Sequence, residues 1–145
     1  MANIRIILMV DTDKINRRNV NETCHLTDTT GLMQDSQNPT KFETTANAGS
    51  MIEWSGLALN HVDCVSIDSI VLEKNTGSYA LFGVPVLIGS GGFIRATIIA
   101  NPAEAQPDRN PTPIEETYKI NFTVIKNNDG TVASFDIDPK LRGNT

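Results

Sequence analysis

Apolar and polar positions alternate with a period of two along most of the chain, the spacing of half-buried strands. Ile4, Ile6, Leu8 and Val10 alternate against Arg5, Ile7, Met9 and Asp11, and the β-branched content favours a first strand. A polar stretch rich in Asn, Thr and Asp follows, from about residue 13 to residue 40, with Ile15, Val20, Leu26, Leu32 and Met33 scattered through it. A connection of that length is expected to be functional or to carry a short element of its own. Lys41 to Asn47 reads as a short strand closed by the turn Ala48-Gly49-Ser50. Met51 to Leu57 reads as the next, with Ile52 and Trp54 on one face.

From Val62 to Val71 the apolar face changes partway, which predicts a bulge or bend near Ser66 to Ser69, because one extra residue re-aims every later side chain. Turns are expected at Asn75-Thr76-Gly77-Ser78 and at Gly89-Ser90-Gly91-Gly92, flanked by strand runs Tyr79 to Ile88 and Phe93 to Ala100. Pro85 marks the first of these runs as an edge strand, since proline cannot donate to a ladder. Residues 101–113 hold four prolines and read as an ordered surface loop or semi-rigid connector. Tyr118, Ile120, Phe122 and Val124 then alternate, Asn127-Asn128-Asp129-Gly130 turns, and Val132 to Ile137 returns as a hairpin. About eight strands without an amphipathic helix predict an all-β fold: a single antiparallel β-sandwich over residues 1–145, of the immunoglobulin- or cupredoxin-like Greek-key type.

The 145 residues suit one domain with a sizeable core, and 39% hydrophobic against 20% charged residues excludes disorder and coiled coil. A formal net charge of −5 argues against nucleic acid or an anionic lipid surface as a partner. No apolar run reaches membrane-spanning length, so no membrane insertion is expected. The first strand meets Asp11 and Asp13 with a single preceding basic residue, which does not read as a secretory signal; a cytoplasmic protein is expected. Cys24 and Cys64 are accordingly read as free, buried thiols, Cys64 lying in the apolar register of its strand.

Candidate chemistry is sparse. The glycine turn at 89–92 lacks the Lys-Ser/Thr end of a phosphate-binding loop and no helix follows it. Cys24, His25, His61 and Cys64 do not have the spacing of a zinc finger or ribbon, and no Cys or His follows Cys64 to complete a copper site. No nucleophile lies in a recognisable catalytic motif, so no catalytic residue is assigned and the chain is not read as an enzyme. Trp54 is expected in the core. Asp11 and Asp13, with same-face spacing at the end of the first strand, are candidate oxygen ligands for Ca²⁺; no other cofactor is expected. With Asn60, His61 and Asp63 they form the candidate ligand site, whose amide and carboxylate groups suit a glycan.

Two stretches carry a resemblance. Ile6-Ile7-Leu8-Met9-Val10-Asp11-Thr12-Asp13 and then Asn38-Pro39-Thr40 lead into Phe42 to Trp54, with Ala48-Gly49-Ser50-Met51-Ile52-Glu53-Trp54. This pattern, together with the ending Phe135-Asp136-Ile137-Asp138-Pro139, is similar to the PixA/AidA family of bacterial inclusion-body proteins. Ser50 stands where that family has Asp, and the middle of the chain is unmatched. The resemblance implies a bacterial, non-enzymatic β-sandwich that accumulates or self-assembles, with a second copy of itself as the partner. A carbohydrate-binding, lectin-like module is the alternative. The apolar edge around Pro85, with Val84, Val86 and Ile88, is the expected route to assembly.

Overall fold

The computed structural model describes residues 3–30, 41–72, 81–99 and 114–144. Among these the strands are β1 (Asn3–Val10), β2 (Cys24–Asp28), β3 (Glu43–Asn47), β4 (Met51–Ala58), β5 (Cys64–Leu72), β6 (Val86–Ile88), β7 (Ile94–Thr97), β8 (Ile114–Ile125), β9 (Val132–Ile137) and β10 (Lys140–Asn144). One helical turn, α1 (Val20–Thr23), precedes β2. Four strands form one sheet in the order β2-β1-β4-β7. The other sheet runs β3-β10-β8-β5-β6, with β9 paired to the far half of β8.

The all-β sandwich expectation holds, with three corrections. The sheets are mixed rather than antiparallel: β1 runs parallel to β4 from Asn3↔Met51 to Val10↔Ala58, and β10 runs parallel to β3. Ten strands are described rather than about eight. The two that the apolar pattern misses are β2, short and inside the polar connection, and β10, whose few residues follow Pro139. Each is held by a neighbour: Val10↔Cys24 to Ile6↔Asp28 for β2, and Lys140↔Glu43 to Asn144↔Asn47 for β10. Finally, of the run expected over Tyr79 to Ile88, the described residues 81–88 form a strand only at Val86–Ile88, with Pro85 just outside it, and residues 79–80 lie outside the described residues. The expected turn at 75–78 and the proline-rich loop at 101–113 lie outside the described residues, as do residues 31–40 of the polar connection.

Alternation decides what lies between the sheets. Ile4, Ile6, Leu8 and Val10 from β1 and Ile52, Trp54 and Ala58 from β4 meet Tyr118, Ile120, Phe122 and Val124 from β8. On β5 the buried positions are Val65 and Ile67, then Ile70 and Leu72, because the register with β8 slips between Ile67 and Ser69. That is the expected bulge. It also corrects the reading of Cys64: before the bulge the buried face belongs to Val65 and Ile67, so Cys64 turns outward and is exposed. Cys24 is buried, and burial pushes its thiol pKa up to about 12. At the centre Trp54 is 1% exposed, donates its Nε1–H to the Tyr118 hydroxyl at 3.2 Å, and has the rings of Phe82 and Tyr118 edge-on, each 5.8 Å away. Burial pushes the Tyr118 phenol above its ordinary value.

The expected turns at 89–92 and 127–130 both form. Gly130, with φ +72°, donates its amide to the Lys126 carbonyl to close the β8–β9 hairpin. Gly91 and Gly92, with φ +73° and +90°, carry the turn bridged by Ser90 and Phe93.

Candidate functional site

β1 ends at Val10, and the chain turns at once. The Asp11 carbonyl accepts the amides of Lys14 at 3.2 Å and Ile15 at 3.0 Å, while its own amide donates to the Thr23 carbonyl at 2.8 Å. The strand alternation behind the pairing of Asp11 with Asp13 therefore does not extend to Asp13. Asp13, Asn60 and Asp63 do come together. The Asn60 Nδ2 donates to Asp63 Oδ2 at 2.8 Å and to Asp13 Oδ1 at 3.3 Å. Its Oδ1 accepts the amides of Val62 and Asp63, at 3.0 and 3.1 Å, which shapes the β4–β5 corner. His61 occupies the left-handed turn position of that corner with φ +61°, and its side chain is exposed. No hydrogen bond or ion pair joins the Asp11 carboxylate or the His61 ring to the cluster among the described residues.

Three participants were not evident from sequence: Thr12, Lys126 and Asn127. Lys126 lies at the end of β8, next to the Asn-Asn-Asp-Gly turn, and nothing local marks it as more than a solvated hairpin residue. In the structure its Nζ donates to the Thr12 carbonyl at 2.9 Å, and approaches Asp63 Oδ2 to 3.0 Å and Asp13 Oδ1 to 3.4 Å. Thr12 Oγ1 donates to Asp63 Oδ2 at 2.6 Å, and the Asn127 amide donates to Asp63 Oδ1 at 2.8 Å. Three oxygens thus converge on an ammonium, where a cation such as Ca²⁺ would require its own oxygen shell. Among the described residues, no group of three or more His, Cys, Asp or Glu side chains is placed to hold a metal ion.

The Asn127 amide foremost, then the Thr12 hydroxyl and the Asn60 amide, hold the Asp63 carboxyl well below the usual carboxylate range. The hydrogen bond that Lys126 donates to Asp63 raises the lysine above its ordinary value. Asp63, with its side chain 4% exposed, therefore joins the end of β1, the β4–β5 corner and the β8–β9 hairpin. A depressed carboxylate contributes stability that is present above its unfolded pKa, about 4, and is lost as pH falls toward its folded value. A raised lysine contributes stability that is present below its unfolded pKa and is lost as pH rises through the folded one. The expected result is that Asp63→Asn is less stable than the parent at pH 7, and that this gap narrows as urea unfolding is repeated from pH 5 down to pH 2. A gap independent of pH over that range would show that ionisation of Asp63 carries none of the stability.

At the opposite end of the four-stranded sheet a second polar group lies in one row across three strands. Arg5, Glu53 and Arg95 are register partners on β1, β4 and β7. Arg5 Nε lies 2.9 Å from one Glu53 oxygen and Arg95 Nε 3.2 Å from the other. The Arg95 guanidinium also sits over the Phe93 ring, 4.9 Å from its centre.

No protein-family model matches the chain, and no curated protein is similar to it in sequence. Among solved structures it is similar to the inclusion body protein PixA from Burkholderia cenocepacia. That likeness covers 99% of this chain and 94% of the other, with a TM-score of 0.57 and 11% sequence identity. At that identity the likeness establishes a shared fold over the whole described architecture, the mixed two-sheet sandwich.

Proposed function

We propose that this chain is a non-enzymatic structural protein of the inclusion-body type, which self-associates through the edge of its six-stranded sheet. The observation that carries this reading is the exposed apolar edge at β6, where Val84, Val86 and Ile88 are 42%, 39% and 76% exposed. Pro85 turns its carbonyl to the Leu72 amide at 2.9 Å, and the Gly89 amide donates to the Asp68 carbonyl at 2.8 Å. By the two-residue alternation of a strand, the backbone groups of Val86 and Ile88 point away from β5. No other described strand pairs with that side. The proline's missing donor therefore lies on the paired side and does not guard the edge. An edge with free donors and apolar side chains is a template for another strand. The shared fold with an inclusion body protein supports the same reading.

Sedimentation velocity across a concentration series tests it. Association that grows with concentration is expected, and Ile88→Lys is expected to weaken it about tenfold or more by placing a charge at the edge. A monomer at every concentration would end this reading, as would Ile88→Lys assembling like the parent.

The alternative of a lectin-like module is favoured by one specific feature, the row of Arg5, Glu53 and Arg95 and the polar groove beside it. Sugar sites combine a few fixed polar groups with a concave surface, and this groove has both.

A further inference from the structure

We propose that the groove at the start of β1 is a binding site for an acidic saccharide, with Arg5 and Arg95 receiving the sugar carboxylate. The inference deepens the lectin-like alternative, places it at the far end of β1 from Asp13, Asn60 and Asp63, and is independent of assembly at β6.

Charge favours an anionic ligand here. The chain carries a formal net charge of −5, yet this row holds two guanidinium groups for one carboxylate. Glu53 is partly buried, its side chain 14% exposed, and it engages each arginine through Nε. The two arginine side chains are 65% and 55% exposed, and no other hydrogen bond or ion pair to their Nη groups occurs among the described residues. Glu53 thus acts as a shared positioning residue that holds two forks, one on each of the strands flanking its own. An arginine fork matches a carboxylate in a two-point geometry that lysine cannot reproduce. Phe93 restrains Arg95 further by lying beneath its guanidinium. The Arg5 backbone is fixed by an exchange with Thr29: its amide donates to Thr29 Oγ1 at 3.0 Å, and its carbonyl accepts the Thr29 amide at 3.1 Å.

Shape and lining favour a sugar. A cavity of about 480 Å³ contains the Arg5, Glu53 and Arg95 side chains together with Asn3 and Thr29. It shares Asn3, Ile4 and Thr29 with a second cavity of about 360 Å³, lined further by Thr30, Thr45 and Asn47. The cationic end therefore opens into a run of hydroxyl and amide groups, the donors and acceptors that recognise sugar hydroxyls. Both volumes fall in the range of small-ligand sites, and together they have room for one or two sugar rings. The hydroxyl wall is held from behind: buried Asp28 accepts the Thr30 amide at 2.9 Å, the Thr30 hydroxyl, and the Thr44 hydroxyl at 2.6 Å. A bare anion would use the arginines and leave the threonine wall idle, whereas a neutral sugar would leave the charge of the arginines unmatched. A sugar bearing a carboxylate uses both.

Isothermal titration with sodium D-galacturonate, D-galactose and inorganic phosphate tests the proposal, using the full chain and the variants Arg5→Gln and Arg95→Gln. Saturable binding of galacturonate is expected, with galactose and phosphate each weaker by about tenfold or more, the worth of one charge-assisted hydrogen bond. Each variant is expected to lose about tenfold toward galacturonate while its binding of galactose is unchanged. Because these arginines form exposed pairs, the variants are expected to fold, and far-ultraviolet circular dichroism checks that they do. In the parent protein, galacturonate should shift the amide NMR signals of Thr29, Thr30 and Arg95. Absence of saturable galacturonate binding, galactose bound equally well, phosphate bound equally well, or variants that bind galacturonate like the parent would each overturn the proposal. So would shifts confined to the Asp63 end of the molecule.

Discussion

Trp54→Ala is expected to lower the unfolding free energy by about 3–5 kcal/mol, the cost of emptying a large buried site that its neighbours cannot refill. Trp54 is 1% exposed, lies between the Phe82 and Tyr118 rings, and bridges the two sheets through its hydrogen bond to Tyr118. Its removal therefore leaves a cavity and also a buried phenol without its donor. Tyr118→Phe separates the second effect from the first. It keeps the ring and strips the acceptor from Trp54 Nε1, at a cost of about 1–3 kcal/mol. Urea unfolding read by a probe other than tryptophan fluorescence measures both. Trp54→Ala within about 0.5 kcal/mol of the parent, the range of an ordinary surface change, would mean that this cluster does not organise the core.

How far the sequence discloses this fold depends on where each instruction is stored. Alternation is local, so β1, β4, β8 and β9 and the bulge in β5 are legible in single runs of residues. Pairing partners are not. Nothing in Ile4 to Val10 says that the strand lies parallel to Met51–Ala58, because the pattern of inward side chains is the same for either direction. β2 carries only Cys24, Leu26 and Asp28 inward, and one of these is an acid. Such a position reads as loop until Thr30 and Thr44 are seen to satisfy the carboxylate. Cys64 differs from its expected burial for a related reason: the bulge makes the phase of β5 differ on its two sides, and the apolar phase that Cys64 shares with Ile70 holds only beyond the bulge.

The candidate ligand residues divide in the same way. Asn60 and Asp63 form a local turn, and their spacing marks it. Asp13 reaches them only through the tertiary fold, and Lys126, which joins all of this to the β8–β9 hairpin, precedes a turn whose residues mark a hairpin but do not mark the lysine's distant partners. Arg5, Glu53 and Arg95 carry no local signal, because each is an ordinary outward residue of its strand. Only the registers Arg5↔Glu53 and Glu53↔Arg95 make them a row. The polar chemistry of this sandwich thus sits at the two ends of β1. One end is closed by its own lysine and the other is open to solvent.

The corner that closes the first of these ends yields the second large effect, at Gly56. The inward positions of β4 are large at Trp54 and small at Gly56 and Ala58, where the chain approaches the turn into β5. A Cβ on Gly56 would lie 2.5 Å from Val65 Cγ1 and 2.6 Å from the Val65 carbonyl oxygen, inside any tolerable contact. In an open strand, replacing glycine by alanine gains about 0.5–1 kcal/mol by restricting the unfolded chain. Here Gly56→Ala is expected to lose about 1–3 kcal/mol by overpacking, so the sign of the change is the test. Val65→Ala in the same chain removes the methyl obstacle but not the carbonyl, and is expected to restore only part of the loss. Urea unfolding of both variants measures this. A stabilised Gly56→Ala would place the sheets farther apart at this corner than the close approach of Gly56 to Val65 requires, and full recovery in the double variant would assign the whole obstruction to the Val65 side chain.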